Sequence, residues 1–180
     1  ARDIFSKYGF KKTTMDDIAH ASRKGKSSIY YYFRNKEEIF QAVVEKEIIV
    51  LRSKIFLAMS ESDDVKRKLK AYILTRMTGF EDMINFYNAI KNEYLTQFEF
   101  IEHIRYKYDK EEIGIIQQIL DEGVKNGTFS IEDTNLAAIA VCTAMKGFEI
   151  PFFVFGNEDS SIEMRLDKLL EMLFNGILKH

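Results

Sequence analysis

Lys26, Ser27, Ser28, Tyr30, Tyr31 and Tyr32 place one ammonium, two hydroxyls and three phenols within seven consecutive residues. These groups donate hydrogen bonds and offer flat aromatic faces, which is chemistry for binding rather than for breaking bonds. A run of tyrosines on a helix serves packing as readily as recognition, so its surroundings decide. From Lys11 to Lys36 the chain carries Lys11, Lys12, Arg23, Lys24, Lys26, Arg34 and Lys36 against Asp16 and Asp17, a net of +5. A phosphate backbone is the natural partner for such an excess.

Catalytic sets do not assemble around these residues. His20, His103 and His180 are far apart and lack metal-ligand spacing. There is no Gly-rich phosphate loop and no nucleophile elbow. Glu111 and Glu112 are adjacent, so on a helix they point to different sides. Neither an enzyme activity nor a metal or cofactor is expected.

The polar cluster needs a scaffold, and the stretch from Thr13 to Glu38 supplies one. Thr14 and Asp17 have the spacing of a capping box, and Asp16 and Asp17 put negative charge in the first turn, where the helix dipole favours it. Ile18, Ala19 and Ser22 continue a helix of about two turns. Arg23-Lys24-Gly25 breaks the apolar pattern, and Gly25 is expected to supply the freedom a sharp turn needs. A second short helix follows, with Ile29 and Phe33 on its inner face and Lys26, Ser27, Tyr30 and Tyr31 largely outside. Two short helices joined by a tight turn read as a helix-turn-helix. Upstream, Ile4, Phe5 and Tyr8 lie on one helical face and are expected to pack on Ile18, Ile29 and Phe33. Downstream, Asn35 is placed to cap a long helix, in which Ile39, Phe40, Val43, Val44, Ile48, Leu51, Ile55 and Met59 recur at three- and four-residue steps.

The phrases IFSKYGFKKTTMDDIAHAS and GKSSIYYYFRNKEEIFQAVV resemble the N-terminal DNA-binding domain of TetR-family transcriptional regulators, over residues 1–54. In that family a first helix ends at a glycine (here Gly9), a threonine opens the second, and an Ile-Tyr-x-x-Phe-like phrase closes the third. Arg23 departs from the pattern, standing where the family turn usually has glycine, and Gly25 stands where a serine often caps the recognition helix. The resemblance implies that Thr14, Ser28, Tyr32 and Lys36 meet phosphates, while Lys26, Ser27, Tyr30 and Tyr31 reach base edges. It implies a palindromic double-stranded DNA operator, a homodimer and a small-molecule effector.

Charge is unevenly spread in a way that suits this. Of the 180 residues, the first 54 hold twelve Lys and Arg against seven Asp and Glu; the rest hold fourteen against twenty-one. A head of +5 on a body of −7 fits a protein that binds DNA with one end. The single Cys142 permits no intrachain disulfide, and no apolar run reaches a membrane span, so a reducing, cytoplasmic setting is expected. The chain opens in mid-pattern, so native residues before Ala1 are expected.

The fold class expected is all-α: a three-helix helix-turn-helix domain at 1–45 and a helical ligand-binding and dimerisation domain at 46–180. Asp63 or Asp64 should open a fifth helix. Residues 81–100 should hold a short helix with irregular ends, and a long helix should run to Lys125 and stop at Asn126-Gly127. Ser130 with Asp133 looks like a second capping box for an apolar helix that Pro151 kinks or ends. Met77, Phe80, Met83, Phe86, Tyr87, Tyr94, Phe98, Tyr106, Phe148 and Phe152 could line an apolar cavity for a hydrophobic or aromatic effector. Singly, each suits an ordinary core equally well, and it is the resemblance that implies a pocket. The last two helices show apolar residues on more than one face; by resemblance they pair with their copies through Val141, Met145, Leu166, Leu170, Leu173 and Ile177. The function implied is ligand-responsive control of transcription, most simply repression. A helical sensor or protein-interaction module without operator binding is the alternative.

Overall fold

The computed structural model describes residues 1–85, 88, 99–155 and 162–177, and every regular element among them is helical. The elements are α1 (Arg2–Lys12), α2 (Met15–Ala21), α3 (Lys26–Tyr32), α4 (Lys36–Ser60), α5 (Val65–Thr78), a 3₁₀ turn (Gly79–Met83), α6 (Glu99–Lys125), α7 (Thr134–Phe155) and α8 (Ile162–Ile177). The chain divides into two compact units: Ala1–Leu51 with Phe80–Ile104, and Arg52–Gly79 with Arg105–His180.

In the first unit the core is aromatic. Phe5, Phe10 and Phe40 are buried, with Phe40 edge-on to the other two at ring-centre distances of 5.1 and 5.0 Å. Ile18, Ala19, Ile29, Ile39 and Val44 close around them. The expectation that Tyr8 joins this core is wrong, because Tyr8 is half exposed. Gly9 breaks α1 with a φ of 77° and redirects the chain, and it is Phe10, one residue beyond, that goes inside. That φ favours a residue without a Cβ. The Thr13 hydroxyl donates to the Gly9 carbonyl at 2.7 Å and fixes the bend. Phe33 lies past the end of α3 in extended backbone and is only half-buried. Asn35 Oδ1 accepts from the Glu38 N–H at 2.8 Å, as expected for the cap of α4. Further along α4, the buried Glu47 carboxylate accepts from Arg2 Nε at 3.1 Å and from Asn85 Nδ2 at 2.7 Å. A charge so buried needs such donors.

In the second unit α5 packs on α8 and α7. Asp64 caps α5, accepting from the Arg67 N–H at 2.9 Å. Leu69, Tyr72, Ile73 and Met77 of α5 meet a core completed by Ile116, Ile119, Leu120, Ala138, Met145, Leu166 and Leu170. Ion pairs stitch its helices: Lys68 to Glu122 at 2.9 Å, Lys70 to Asp167 at 2.8 Å, and Arg76 to Glu112. Beyond α6, Gly127 takes the left-handed conformation (φ 76°), and Phe129 folds back so tightly that a Cβ on Gly123 would collide with its ring. The cap of α7 is Asp133, which accepts from the Leu136 N–H at 2.8 Å, and not Ser130. Ser130 stands four residues before the first helical residue, too far to reach the first-turn amides. Pro151 does not end α7, which continues to Phe155.

Candidate nucleic-acid interface

The helix-turn-helix is built from its caps outward. The Thr14 hydroxyl accepts from the Asp17 N–H at 3.2 Å, and Asp17 Oδ2 accepts from the Thr14 N–H at 2.8 Å, so the capping box is complete. The hydrogen bonds from Thr14 hold the Asp17 carboxyl below the usual carboxylate range. At the other end of α2 the Arg23 N–H reaches the His20 carbonyl and the Lys24 N–H the Ala19 carbonyl, both at 3.1 Å. This is a Schellman ending, and it requires a left-handed residue. That residue is Arg23, with a φ of 51°. Gly25 was expected to make the turn; instead it sits in extended backbone (φ −64°, ψ 145°) as the N-cap of α3. The sharp bend comes two residues earlier, where the carbonyls left over by α2 have to be capped.

On α3 only Ile29 is buried. Lys26, Ser27 and Ser28 are exposed, as are Tyr30 (47%), Tyr31 (82%) and Tyr32 (76%). So much phenol surface facing water is available for contact with a partner. Tyr31 and Tyr32 rest edge-to-face with ring centres 4.9 Å apart. Two other residues are committed within the unit. The Lys36 ammonium donates to the Phe10 carbonyl at 2.8 Å and lies over its ring. The Lys26 ammonium is 2.8 Å from Asp16 Oδ1. No local pattern announces this pair, because its members are ten residues apart on different helices. Tyr8, Lys12, Asp17 and His20 line a cleft of about 370 Å³ beside α2.

The residues proposed for the effector do not gather among the described residues. Met77 is buried in the second unit and Met83 in the first. Tyr106 is 60% exposed under the ammonium of Lys110, one turn along α6, and lines no core. Phe148 is half-buried. Phe86, Tyr87, Tyr94 and Phe98, and the side chains of Phe80, Phe152 and Ile177, lie outside the described residues. The second unit does hold an apolar cavity of about 280 Å³, bounded by Ile73, Leu120, Val141, Met145, Leu170 and Leu173 and opened by Ala137, Ala140 and Ala144. Val141, Met145, Leu166 and Leu170 are buried inside their own chain and leave little surface for a partner. Leu173 is half-buried. Among the described residues, the large apolar side chains that α7 and α8 turn outward are Leu136, Ile139, Met164 and Met172. Cys142 is also internal, and burial pushes its thiol up to about 12.

Among the described residues, no three His, Cys, Asp or Glu side chains could hold a metal, and no helix is long and apolar enough to cross a membrane. The profile of bacterial regulatory proteins of the tetR family matches residues 1–43, and that of the tetracyclin repressor-like C-terminal domain matches 66–170. The chain is 25% identical over 188 residues to the HTH-type transcriptional regulator QacR of Staphylococcus aureus, covering 99% of this chain and 95% of QacR. It is 28% identical over 145 residues to the HTH-type transcriptional regulator YhgD of Bacillus subtilis, covering 78% and 74%. The crystal structure of a transcriptional regulator from Cytophaga hutchinsonii superposes with a TM-score of 0.81 at 24% identity, over 99% of this chain and 94% of that one.

Proposed function

The chain belongs to the TetR family of bacterial regulatory proteins, and we propose that it is a cytoplasmic repressor, a homodimer on a palindromic operator released by a small hydrophobic or aromatic effector. The observation that carries the DNA-binding half is the outer face of α3, where six donor-bearing residues from Lys26 to Tyr32 are exposed while Ile29 alone anchors the helix. In this reading α3 enters the major groove and α2 crosses the backbone. Lys26, Ser27, Tyr30 and Tyr31 face base edges; Thr14, Ser28 and Tyr32 face phosphates. Lys36, with one N–H given to the Phe10 carbonyl, has donors left for a phosphate. The protein works by binding alone.

Effector control rests on α4, whose 25 residues run from the helix-turn-helix into the second unit's share of the chain. A ligand that favours one state of the second unit then biases the spacing of the two α3 helices. Half-sites about 34–36 Å apart tolerate little error in that spacing. The apolar lining of the cavity between α5, α6, α7 and α8 supports a hydrophobic ligand.

Selection of duplexes from a random-sequence pool by the purified protein tests the reading. A two-fold symmetric site whose affinity falls steeply with salt is expected. No enrichment, with hydrophobic compounds still raising the melting temperature, would favour a sensor module that binds no operator.

A further inference from the structure

The ammonium of Lys26, the first residue of α3, lies 2.8 Å from Asp16 Oδ1 and 2.9 Å from Asp16 Oδ2, so the pair links the first turns of α2 and α3. Both side chains are at least half exposed, 51% and 71%. The fold does not require the contact, because the cap of α2 is made by Thr14 and Asp17. An ion pair this exposed is held loosely, and DNA can compete for either member.

We propose that Asp16 and Lys26 act as a couple that reads one G·C base pair in each half-site and weakens binding to phosphate alone. This rests on the DNA-binding reading above. An ammonium has three N–H donors, so Lys26 can keep Asp16 and still donate to guanine O6 or N7. A carboxylate has lone pairs to spare and accepts from the N4 amino group of cytosine. Side by side, the two groups present a donor and an acceptor, matching the acceptors of guanine and the donor of cytosine on the major-groove edge. A phosphate offers acceptors only. Lys26 can still bind it, but Asp16 then faces a like charge and repels it. Asp16 therefore adds affinity at the matching base pair and subtracts it elsewhere. The hydrogen bond from Lys26 to Asp16 also raises the Lys26 pKa above its ordinary value. Tyr30, one helical turn beyond Lys26 and half exposed, adjoins the couple on α3.

The test compares the whole protein with its Asp16→Asn, Asp16→Glu and Lys26→Gln variants in two measurements. One is affinity for a fixed random-sequence duplex at several salt concentrations; the other is selection from a randomised duplex pool. Asp16→Asn should bind the random duplex roughly tenfold more tightly across the two half-sites, with a steeper salt dependence. In the selection it should lose a G·C preference at one position per half-site. Lys26→Gln should lose the preference at the same position, and Asp16→Glu should keep both properties. Random-duplex affinity unchanged in Asp16→Asn, a preference retained, or losses at different positions in the two variants would each overturn the couple while leaving the DNA-binding reading standing. Failure of the unmutated protein to bind any duplex would overturn both.

Discussion

Lys36 Nζ donates to the Phe10 carbonyl at 2.8 Å and lies 4.4 Å from the centre of the Phe10 ring. The first residue of α4 thereby closes the end of α1, where carbonyls have run out of helical N–H donors. Phe10 is in turn stacked into the aromatic core with Phe5 and Phe40. A side chain that the sequence offers as a phosphate contact is thus part of what holds the three-helix head to its long fourth helix.

Lys36→Ala should therefore cost stability as well as any contact to DNA. Losing a charge-assisted hydrogen bond and a half-buried cation–π contact amounts to about 1–2 kcal/mol. Urea titration should show a lower midpoint with an unchanged slope. An unchanged midpoint would mean that the ammonium contributes nothing to the folded head.

Arg23→Gly should act in the opposite direction. A left-handed φ at a residue with a Cβ costs roughly 1 kcal/mol, which glycine avoids, and the greater freedom of an unfolded glycine returns part of the gain. A net stabilisation of about 0.5 kcal/mol is expected, read as a raised melting temperature. Loss of the Arg23 charge should at the same time weaken binding to all duplexes alike. A lower melting temperature would show that the guanidinium makes a contact worth more than the strain.

Ile29 and Tyr30 are neighbours with opposite duties. Ile29→Ala removes the one buried side chain of α3 and should destabilise by about 2–4 kcal/mol. Tyr30→Ala should leave stability nearly unchanged, yet cost about 1–3 kcal/mol per half-site on a selected operator and little on random DNA. Thermal melts paired with anisotropy titrations separate the two effects, and equal losses of stability would remove Tyr30 from the reading face.

What the sequence made legible followed from local rules. Thr14 and Asp17, Asn35 and Gly127 act on residues within one helical turn, so spacing alone identified them, and it narrowed the cap of α5 to Asp63 or Asp64. The apolar steps of α4 announced its buried face for the same reason. The misses have local and tertiary causes. Gly25 looked like the turn because glycine usually is, but the Schellman ending of α2 placed the left-handed residue at Arg23. Leu166 and Leu170 have the spacing of an interface stripe, and periodicity cannot say whether such a stripe meets its own chain or a copy. Lys26 and Asp16 meet only because two helices bring them together.

Leu170→Glu illustrates that ambiguity. Leu170 is 2% exposed and Leu166 fully buried, so a glutamate at 170 enters the core of the second unit. It should abolish folding of that unit, seen as lost helical signal, and not produce folded monomers. Dimerisation is better tested at Ile139 and Met172, which are 40% and 67% exposed on α7 and α8. Ile139→Glu with Met172→Glu should keep the helical signal and lower the sedimentation coefficient, because a two-fold contact meets each charge twice. A folded double variant that sediments like the unmutated protein would place the dimer contact elsewhere.

Cys142 should make the second unit less stable in alkali. It is 3% exposed, and burial first, then the nearby Glu112, lifts its thiol from an ordinary 9.0 to about 12. Well below pH 9 the thiol is protonated whether the chain is folded or not, so its contribution to stability is fully present. As pH rises beyond that, the unfolded chain gives up the proton while the folded one keeps it. The unfolded state then binds fewer protons, and stability falls by no more than about 1.4 kcal/mol per pH unit. The loss continues until pH approaches the folded value of about 12. Tyr72, also raised by burial, adds to the decline only at still higher pH, since its ordinary value is 10.0. Cys142→Ala should be less stable than the unmutated protein at neutral pH, because it leaves a small void beside Met145 and Ala138. Its stability should nevertheless fall less steeply between about pH 8 and 10, so that the two curves converge. Urea midpoints across that range decide the matter: parallel decline in the two proteins would show that the thiol does not contribute to the alkaline loss.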